Sequence, residues 1–178
     1  MHKLVVIVVA LFAVFASGPA AADLVDDCYR VGLGDPDKLI EICTRAIRSG
    51  ATGSRLATAY NNRGRGHQEK KAFDRALSDF DMAIKINPRH VYAFDNRGDY
   101  WRLLGKFERA IAEYNAAIRI DPSFLSAYIN RGMTFEQMGD RNSARADYQF
   151  VIKAAGKDRE IDIWARDVAK ERLSGLKD

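Results

Sequence analysis

Side chains that could support catalysis are few in this chain of 178 residues. Beyond His2 in the N-terminal segment the histidines are His67 and His90, and neither has ligands at the spacing of a metal site. No serine or cysteine stands in a recognisable pattern with a histidine and an acid. We therefore predict that the protein is not an enzyme and that it has no cofactor and no metal site.

Two glycine-containing stretches resemble nucleotide-binding loops only superficially. The segment 50–54, Gly-Ala-Thr-Gly-Ser, lacks the lysine that follows the glycines of a phosphate-binding loop. The segment 63–66, Arg-Gly-Arg-Gly, places both glycines inside a predicted helix. Neither stretch predicts a nucleotide site.

Three arginines recur at fixed spacing, each followed sixteen residues later by an acid: Arg63 and Asp79, Arg97 and Glu113, Arg131 and Asp147. If each arginine and its acid lie on facing helices, they can form a structural ion pair, and we favour this hypothesis. The alternative is that the arginines bind a ligand. If the pairs are partly buried, removing one partner costs about 3–5 kcal/mol, because the other loses its counter-charge.

The elements that position these residues are copies of one unit. The tripeptide Asn-Arg-Gly occurs at 62–64, 96–98 and 130–132, a constant lag of 34 residues. An aromatic residue lies two positions before each Asn, an alanine lies twelve after each Gly, and another aromatic follows four later. A fixed period of this length predicts a solenoid, in which each repeat packs on its neighbours.

Each copy is predicted to form two amphipathic helices. In the second copy Phe94, Gly98 and Trp101 have the i, i+4, i+7 spacing of one helix face. Gly105 is suited to end that helix, because glycine readily adopts the left-handed conformation of a C-cap. The second helix has its own apolar stripe and ends before Pro122, since the residue before a proline is disfavoured in a helix.

This pattern resembles the tetratricopeptide-repeat family, whose repeat runs aromatic, small, aromatic, alanine, aromatic, alanine and proline at set spacing. The copies match it at 57–90, 91–124 and 125–158. The resemblance implies an all-α fold, an α-solenoid of stacked antiparallel helix hairpins. The departures are His67 for an aromatic, Lys71 for the turn glycine and Gly156 for the last proline. We expect the first inter-helix turn to be less well formed than the others.

The resemblance also implies a function, because the first helices of stacked repeats line a concave groove that takes an extended peptide or a partner helix. The residues expected on this face are Asn61, Asn62, Arg65, Gln68, Asp95, Asn96, Asp99, Arg102, Ile129, Asn130, Met133 and Glu136. Its two arginines are opposed by two aspartates, and Ile129 and Met133 form an apolar end. Such a groove predicts a peptide with both polar and apolar anchors.

The asparagine that recurs at 62, 96 and 130 has two interpretations. Its amide can bind the backbone of a ligand, or it can join neighbouring helices, and the even repetition supports the structural use at least as well. The lysines and asparagines with which some members of the family bind a C-terminal carboxylate are not matched in this sequence.

Residues 1–22 are predicted to be a signal peptide that is removed on export. Lys3 precedes an uninterrupted apolar run at 4–15, and 20–22 supply small residues for cleavage. The run is too short for a comfortable membrane span. We therefore expect a protein exported to a bacterial periplasm without a stable membrane anchor, with an uncleaved anchor as the alternative.

The two cysteines, Cys28 and Cys43, fall within 23–56, which resembles a shortened, degenerate repeat followed by a linker. Its two helices are expected to face each other, and a disulfide between them fits an oxidising compartment. The alternative is a redox-active thiol pair, for which the Cys-x-x-Cys spacing is absent.

The segment 159–178 is predicted to form a C-terminal capping helix. Its apolar residues form one stripe against a charged back: Ile161, Trp164, Ala165, Val168 and Ala169. Such a helix covers the last repeat and presents polar groups to water, as repeat arrays require. We expect Trp164 to pack on the third repeat, with ligand binding as the alternative.

The charge composition limits the classes of partner that we expect for this protein. The chain has 28 basic and 24 acidic residues, interspersed along the helices and with no basic run between aromatics, so we predict no nucleic-acid partner. The expected ligand is a protein or peptide. Two classes of function stay open: a periplasmic scaffold that docks a protein partner, and a self-associating accessory subunit of an envelope complex.

Overall fold

The computed structural model describes residues 21–31, 34–156 and 159–176, and within them it contains α-helices and no strand. The helices are α1 (Ala21–Arg30), α2 (Pro36–Arg48), α3 (Gly53–Glu69), α4 (Phe73–Ile86), α5 (Val91–Leu103), α6 (Phe107–Ile120), α7 (Leu125–Met138), α8 (Arg141–Ala154) and α9 (Glu160–Gly175). Among these helices none is both long enough and apolar enough to cross a membrane. The predicted signal peptide, 1–22, lies outside the described residues except for its last two, with which α1 begins.

The helices form a two-layered array. Consecutive helices pair as the hairpins α1–α2, α3–α4, α5–α6 and α7–α8, and α9 packs on both helices of the last hairpin. The odd-numbered helices contact one another in chain order and form what we call the inner layer. Each even-numbered helix packs on the odd-numbered helices before and after it. The result is the all-α solenoid expected from the repeat.

One glycine in each repeat lets the two helices approach closely. A Cβ added at this glycine would lie under 3.0 Å from a fully buried ring: Gly64 against Phe80, Gly98 against Tyr114 and Gly132 against Tyr148. The three glycines therefore have equivalent surroundings, as three hairpins stacked in register require. Small residues at this position are a packing requirement here, because a side chain would push the helices apart.

The turn between the two helices of each repeat has a left-handed residue, at Lys71 (φ 57°), Gly105 (φ 68°) and Gly139 (φ 80°). The N–H of Lys71 donates to the carbonyl of Gln68 at 2.9 Å, as that of Gly105 does to Arg102 at 3.0 Å. The expectation that the first inter-helix turn is less well formed than the others is wrong, because it has the same hydrogen bond and left-handed residue as they do. The turn is complete, and Lys71 takes a conformation that costs a residue with a Cβ roughly 1–2 kcal/mol.

Helix α3 begins at Gly53, four residues before the predicted start of the first repeat. Thr52 before it has extended backbone angles and occupies the N-cap position. Leu56 and Ala59 pack against the apolar core of the N-terminal hairpin, so α3 contributes to that core as well as to the first repeat. The linker is shorter than expected because α3 already begins at Gly53.

The N-terminal hairpin is closed by a disulfide between Cys28 on α1 and Cys43 on α2. Both cysteines are fully buried, among Leu24, Val25 and Leu39. The bond links α1 to α2, and closing a loop of this size stabilises a fold by about 3 kcal/mol in the chain-entropy model.

Helix α9 covers the last repeat with small residues. Ala165 and Ala169 are buried against the third repeat, in the same core as Tyr148. Trp164 is 50 % exposed and Ile161 is 57 % exposed, so the expectation that Trp164 packs on the third repeat is wrong. With the alanines facing the third repeat, Ile161 and Trp164 lie largely exposed, while the partly buried Val168 and Leu173 pack against the same core.

Candidate peptide-binding groove

Two of the recurrent arginines form bidentate ion pairs with the acid of their own repeat. Arg63 donates through Nε and Nη2 to Asp79 at 2.8 and 2.7 Å, and Arg131 donates through the same atoms to Asp147 at 2.9 and 2.6 Å. Both aspartates are buried. The hydrogen bonds to the aspartate raise the pKa of each arginine. Burial raises the pKa of Asp147, although its arginine opposes the shift.

The third arginine, Arg97, divides its donors between two repeats. Its Nη2 donates to Glu113 at 2.9 Å, and its Nη1 donates to Asp81 of the preceding repeat at 2.6 Å. Arg131 likewise donates to Asn115 of the preceding repeat at 2.5 Å. Each guanidinium also lies 5.2 to 5.7 Å from the centroid of an aromatic ring three residues earlier. The arginines therefore hold helices together, both within a repeat and between repeats.

The recurrent asparagines also join neighbouring repeats. Asn96 donates to Asn61 Oδ1 at 2.8 Å, and Asn130 donates to both carboxylate oxygens of Asp95, at 3.1 and 3.3 Å. In the first repeat Asn62 accepts a hydrogen bond from Asn61. For Asn96 and Asn130 the structure therefore supports the second of the two interpretations, contact between helices of the inner layer.

A cavity of about 310 Å³ opens on the inner layer between α1, α3, α5 and the start of α7. Five of the twelve predicted groove residues line it: Asn61, Asn62, Arg65, Asp95 and Asn96. The lining residues that the sequence did not place in the groove are Tyr29, Thr58, His90, Tyr92, Phe124 and Ser126. Thr58, Tyr92 and Ser126 share one position of the 34-residue repeat, so the repeat register could have identified them. Tyr29 lies outside the three repeats and had no such signal.

The remaining predicted groove residues do not line this cavity. Ile129 is 2 % exposed and packs in the core beneath α9, so its assignment as an apolar anchor for a ligand is wrong. Its repeat position faces the next inner helix, as Asn61 and Asp95 do in earlier repeats. Met133 packs against the same core. The others that lie away from the cavity are Gln68, Asp99, Arg102, Asn130 and Glu136.

Two of these charged residues neutralise each other within the second repeat. Asp99 Oδ1 accepts from Arg102 Nε and Nη2 at 3.2 and 2.9 Å, and from the hydroxyl of Tyr114 at 3.0 Å. Burial raises the pKa of Tyr114, and the negative charge of Asp99 adds to the shift. Glu136 pairs with Arg172 of α9 at 3.4 Å. These groups are therefore less available to a ligand than the sequence implied.

A second cavity continues the first toward the C-terminal helix. It has a volume of about 160 Å³ and shares Tyr92, Phe124 and Ser126 with the first cavity. Its far wall includes Ile161 of α9. The rings of Tyr92 and Phe124 meet edge to face, with 5.1 Å between centroids. We call the surface over both cavities, from Tyr29 to Ile161, the groove.

Two charged groups of the first cavity, Arg65 and Asp95, differ from the paired charges described above. Arg65 makes no ion pair with any acid in the described ranges, and burial lowers its pKa. Asp95 is 7 % exposed, and its pKa is raised to about 7, first by burial and then by the negative charge of Asp99. The hydrogen bond from Asn130 opposes that rise. An unpaired arginine and a buried acid thus face the same cavity.

His90 is held as a neutral ring at the edge of the cavity. Its Nδ1 accepts the N–H of Ala93 at 3.2 Å, which caps α5, and its Nε2 lies 3.2 Å from the hydroxyl of Thr58. That hydroxyl donates to the carbonyl of Ser54, so Nε2 is the donor to Thr58. Burial lowers the pKa of His90, in agreement with this tautomer. No group of three metal-ligating side chains gathers anywhere in the described residues.

Antiparallel helix hairpins stacked in register, with a groove on the inner layer, define the class of helical-repeat solenoids. The family model described as TPR repeat matches residues 98–139, and that described as Tetratricopeptide repeat matches 125–158. Residues 98–158 of this chain therefore contain tetratricopeptide repeats. No curated protein matches its sequence.

Several solved structures are similar to this fold. The MamA protein is 23 % identical, with a TM-score of 0.61 over 75 % of this chain and 72 % of that chain. The TPR domain of Arabidopsis OM64 is 22 % identical, with a TM-score of 0.58 over 70 % and 98 % of the two chains. The first TPR of Spaghetti (RPAP3), solved with the HSP90 peptide SRMEEVD, is 20 % identical, with a TM-score of 0.55 over 69 % and 97 %. At these identities the likeness establishes the fold.

Proposed function

We propose that the protein is a non-catalytic scaffold, exported to a bacterial periplasm, that binds an extended segment of a protein partner in its groove. The observation that carries the proposal is the composition of the groove. Tyr92 is 57 % exposed beside a cavity walled by amides and by two charged groups. Exposed aromatic rings next to a concave polar surface are typical of binding sites, because they supply contact area at low entropic cost.

The shape of the groove favours an extended ligand. The two cavities share a wall at Tyr92 and Phe124, so one segment of chain can occupy both. A similar fold, the first TPR of Spaghetti (RPAP3), was solved with a heptapeptide, and this supports peptide binding as a function of such a fold. An extended peptide would lie across α3, α5 and α7 and end against α9.

Site-specific photocrosslinking in the cell envelope tests this function. A photoreactive side chain replaces Tyr92 in the groove or, as a matched control, Phe150, which is partly exposed on the outer helix α8. We expect crosslinks to a protein partner from position 92 and none from 150. Equal crosslinking from both positions, or from neither, rejects the groove as the binding surface.

Export requires its own test, since it depends on residues 1–22. We expect the protein in the periplasmic fraction, with an N-terminus at Asp23 when the mature chain is sequenced. A chain that retains residues 1–22 and fractionates with membranes would show an uncleaved anchor. A chain that retains them and remains in the cytoplasm would reject the signal peptide.

Self-association is the second candidate, and one observation favours it. Trp164 and Ile161 are exposed apolar side chains on α9, the helix at the end of the array, where a second copy could pack. Light scattering at micromolar concentration separates the candidates. A dimer that Trp164→Glu converts to a monomer supports self-association, and a wild-type monomer rejects it.

A further inference from the structure

We propose that the groove recognises a cationic side chain, a lysine or arginine of the bound peptide, with the Asp95 carboxylate as its counter-charge and the rings of Tyr92 and Phe124 against its aliphatic stem. This inference rests on the proposed function and adds to it the chemical class of the residue that is bound. It makes Asp95 a ligand-binding residue, since among the described residues the carboxylate accepts hydrogen bonds from one side-chain amide and from no cation.

The argument begins with the buried acids. The part of the chain that the structure describes has four buried carboxylates, at Asp79, Asp95, Asp147 and Asp162. Three of them are bound by an arginine at under 3.0 Å. Asp95 is the exception: within the described residues it accepts only from the neutral amide of Asn130. A buried carboxylate without a counter-charge is costly, so its position beside a cavity indicates a charge supplied from outside the fold.

Among the described residues, neither nearby arginine forms an ion pair with Asp95. Arg102 lies on the same helix, but its guanidinium is held by Asp99 through two hydrogen bonds. Arg65 lines the same cavity, yet the acid and the phenol that influence its pKa are Glu69 and Tyr29, on α3 and α1. Asp95 instead meets α7 through Asn130. Arg65 and Asp95 form no ion pair in the described residues, so the carboxylate of Asp95 is left for a ligand cation.

The rings complete a site for a cation with an aliphatic stem. Tyr92 and Phe124 line the same cavity as Asp95 and pack edge to face. A lysine or arginine buries its methylene groups against such rings, and its charge is attracted to their faces. A carboxylate that is 7 % exposed, beside a Tyr92 ring that is 57 % exposed, selects a long cationic side chain over a short or neutral one.

The same arrangement makes binding sensitive to pH. Burial and the charge of Asp99 raise the pKa of Asp95 to about 7, while Asn130 and Arg102 oppose the rise. His90 lies in the same cavity but is neutral, since burial lowers its pKa. A cation binds the ionised form of Asp95, and that fraction rises about tenfold between pH 6 and pH 8 for a pKa near 7. Affinity should rise by the same factor.

The test uses lysine blocked at both ends, N-acetyl-lysine methylamide, titrated into isotope-labelled protein and followed by nuclear magnetic resonance. We expect saturable shifts of the backbone amides of Tyr92, Asp95 and Ser126, with an affinity about tenfold higher at pH 8 than at pH 6. Blocked norleucine, which has the same stem without the charge, should bind at least tenfold more weakly.

Matched variants assign the effect to Asp95. Asp95→Asn keeps the shape and the contact with Asn130, and it should weaken binding of blocked lysine at least tenfold and abolish the dependence on pH. Asp74→Asn makes the same change at an exposed site on α4 and should leave binding unaltered. Tyr92→Ala retains the carboxylate of Asp95. It should weaken the binding of blocked lysine severalfold and keep the dependence on pH.

Several results overturn the inference. These are wild-type protein that shows no saturable shift, norleucine that binds as well as lysine, and Asp95→Asn protein that binds lysine as tightly as wild type. The outcome is separable from that of the proposed function. If a partner crosslinks at position 92 but blocked lysine does not bind, the proposed scaffold function is supported and the cation site is rejected. If blocked lysine binds but no partner crosslinks, the cation site is supported and the proposed scaffold function is rejected.

Discussion

Asn130 reaches back from α7 to α5, where its side-chain amide donates to both carboxylate oxygens of Asp95, at 3.1 and 3.3 Å. This contact joins the third repeat to the second through a neutral donor and a buried acid. The pKa of Asp95, raised to about 7, lies well above its ordinary value of 3.8. The two residues therefore link the stacking of the repeats to the protonation of one carboxyl group.

The raised pKa of Asp95 predicts that the difference in stability between the wild-type protein and Asp95→Asn changes with pH. The folded state holds the proton to higher pH than the unfolded state, so the stabilising effect of this proton is complete below about pH 4. It is lost as the pH rises from there through about 7, at up to about 1.4 kcal/mol for each pH unit. Asp95→Asn should therefore match wild type at pH 4 and exceed it at pH 8, in urea unfolding at both values. A variant that is less stable at pH 8 would contradict the raised pKa.

We expect the removal of an arginine from one of the buried ion pairs to lower the stability of the fold strongly. Arg131→Met leaves Asp147 buried without its counter-charge, and we expect a loss of about 3–5 kcal/mol in the free energy of unfolding at pH 7. Arg55→Met, at an exposed position of α3, is the control and should change stability by less than about 0.5 kcal/mol. Urea unfolding followed by circular dichroism measures both.

The double variant and the pH identify the cause of that loss. Arg131→Met with Asp147→Asn should recover part of the stability, because it removes the unpaired charge. In the single variant the loss should shrink toward low pH, where Asp147 becomes protonated. A melting temperature unchanged in Arg131→Met would instead favour the alternative hypothesis, that this arginine binds a ligand.

The close approach of helices at Gly98 predicts that alanine is destabilising there. An added Cβ would lie 2.5 Å from Cε1 of Tyr114, whose ring is fully buried and whose hydroxyl is bonded to Asp99. Overpacking of this kind costs about 1–3 kcal/mol, despite the helix propensity of alanine. Gly175→Ala, where nothing lies within 4 Å, should be neutral or slightly stabilising. Thermal unfolding of both variants checks the prediction, which an equally stable Gly98→Ala protein would refute.

The left-handed backbone of Lys71 predicts a stabilising substitution. Lys71→Gly should raise the free energy of unfolding by about 0.5–1 kcal/mol, which is the left-handed penalty less the entropy that glycine adds to the unfolded chain. The reciprocal change, Gly105→Lys, places a side chain at φ 68° and should lower stability by a similar amount. Chemical unfolding measures both variants. If both changes shift stability in the same direction, the backbone explanation fails.

The sequence predicted contacts within a repeat better than contacts between repeats. Arg63 and Asp79 lie on the two helices of one hairpin, so their spacing was enough to place them together. The contact of Arg97 with Asp81 crosses a repeat boundary, and its position depends on how one hairpin is rotated on the next. The same rotation placed Ile129 in the core and left Trp164 half exposed, against the sequence-based expectation.

From the sequence alone follow the helical period, the three hairpins, the glycines at their close contacts and the facing cysteines, because these depend on local spacing and on one repeated pairing. Only the tertiary structure decided which side chains reach the groove, and that Asp95 is the buried acid without an arginine among the described residues. Burial and electrostatic environment are sums over neighbours from several helices, so they depend on the stacking angle between repeats. A 34-residue pattern read along one chain does not contain that angle.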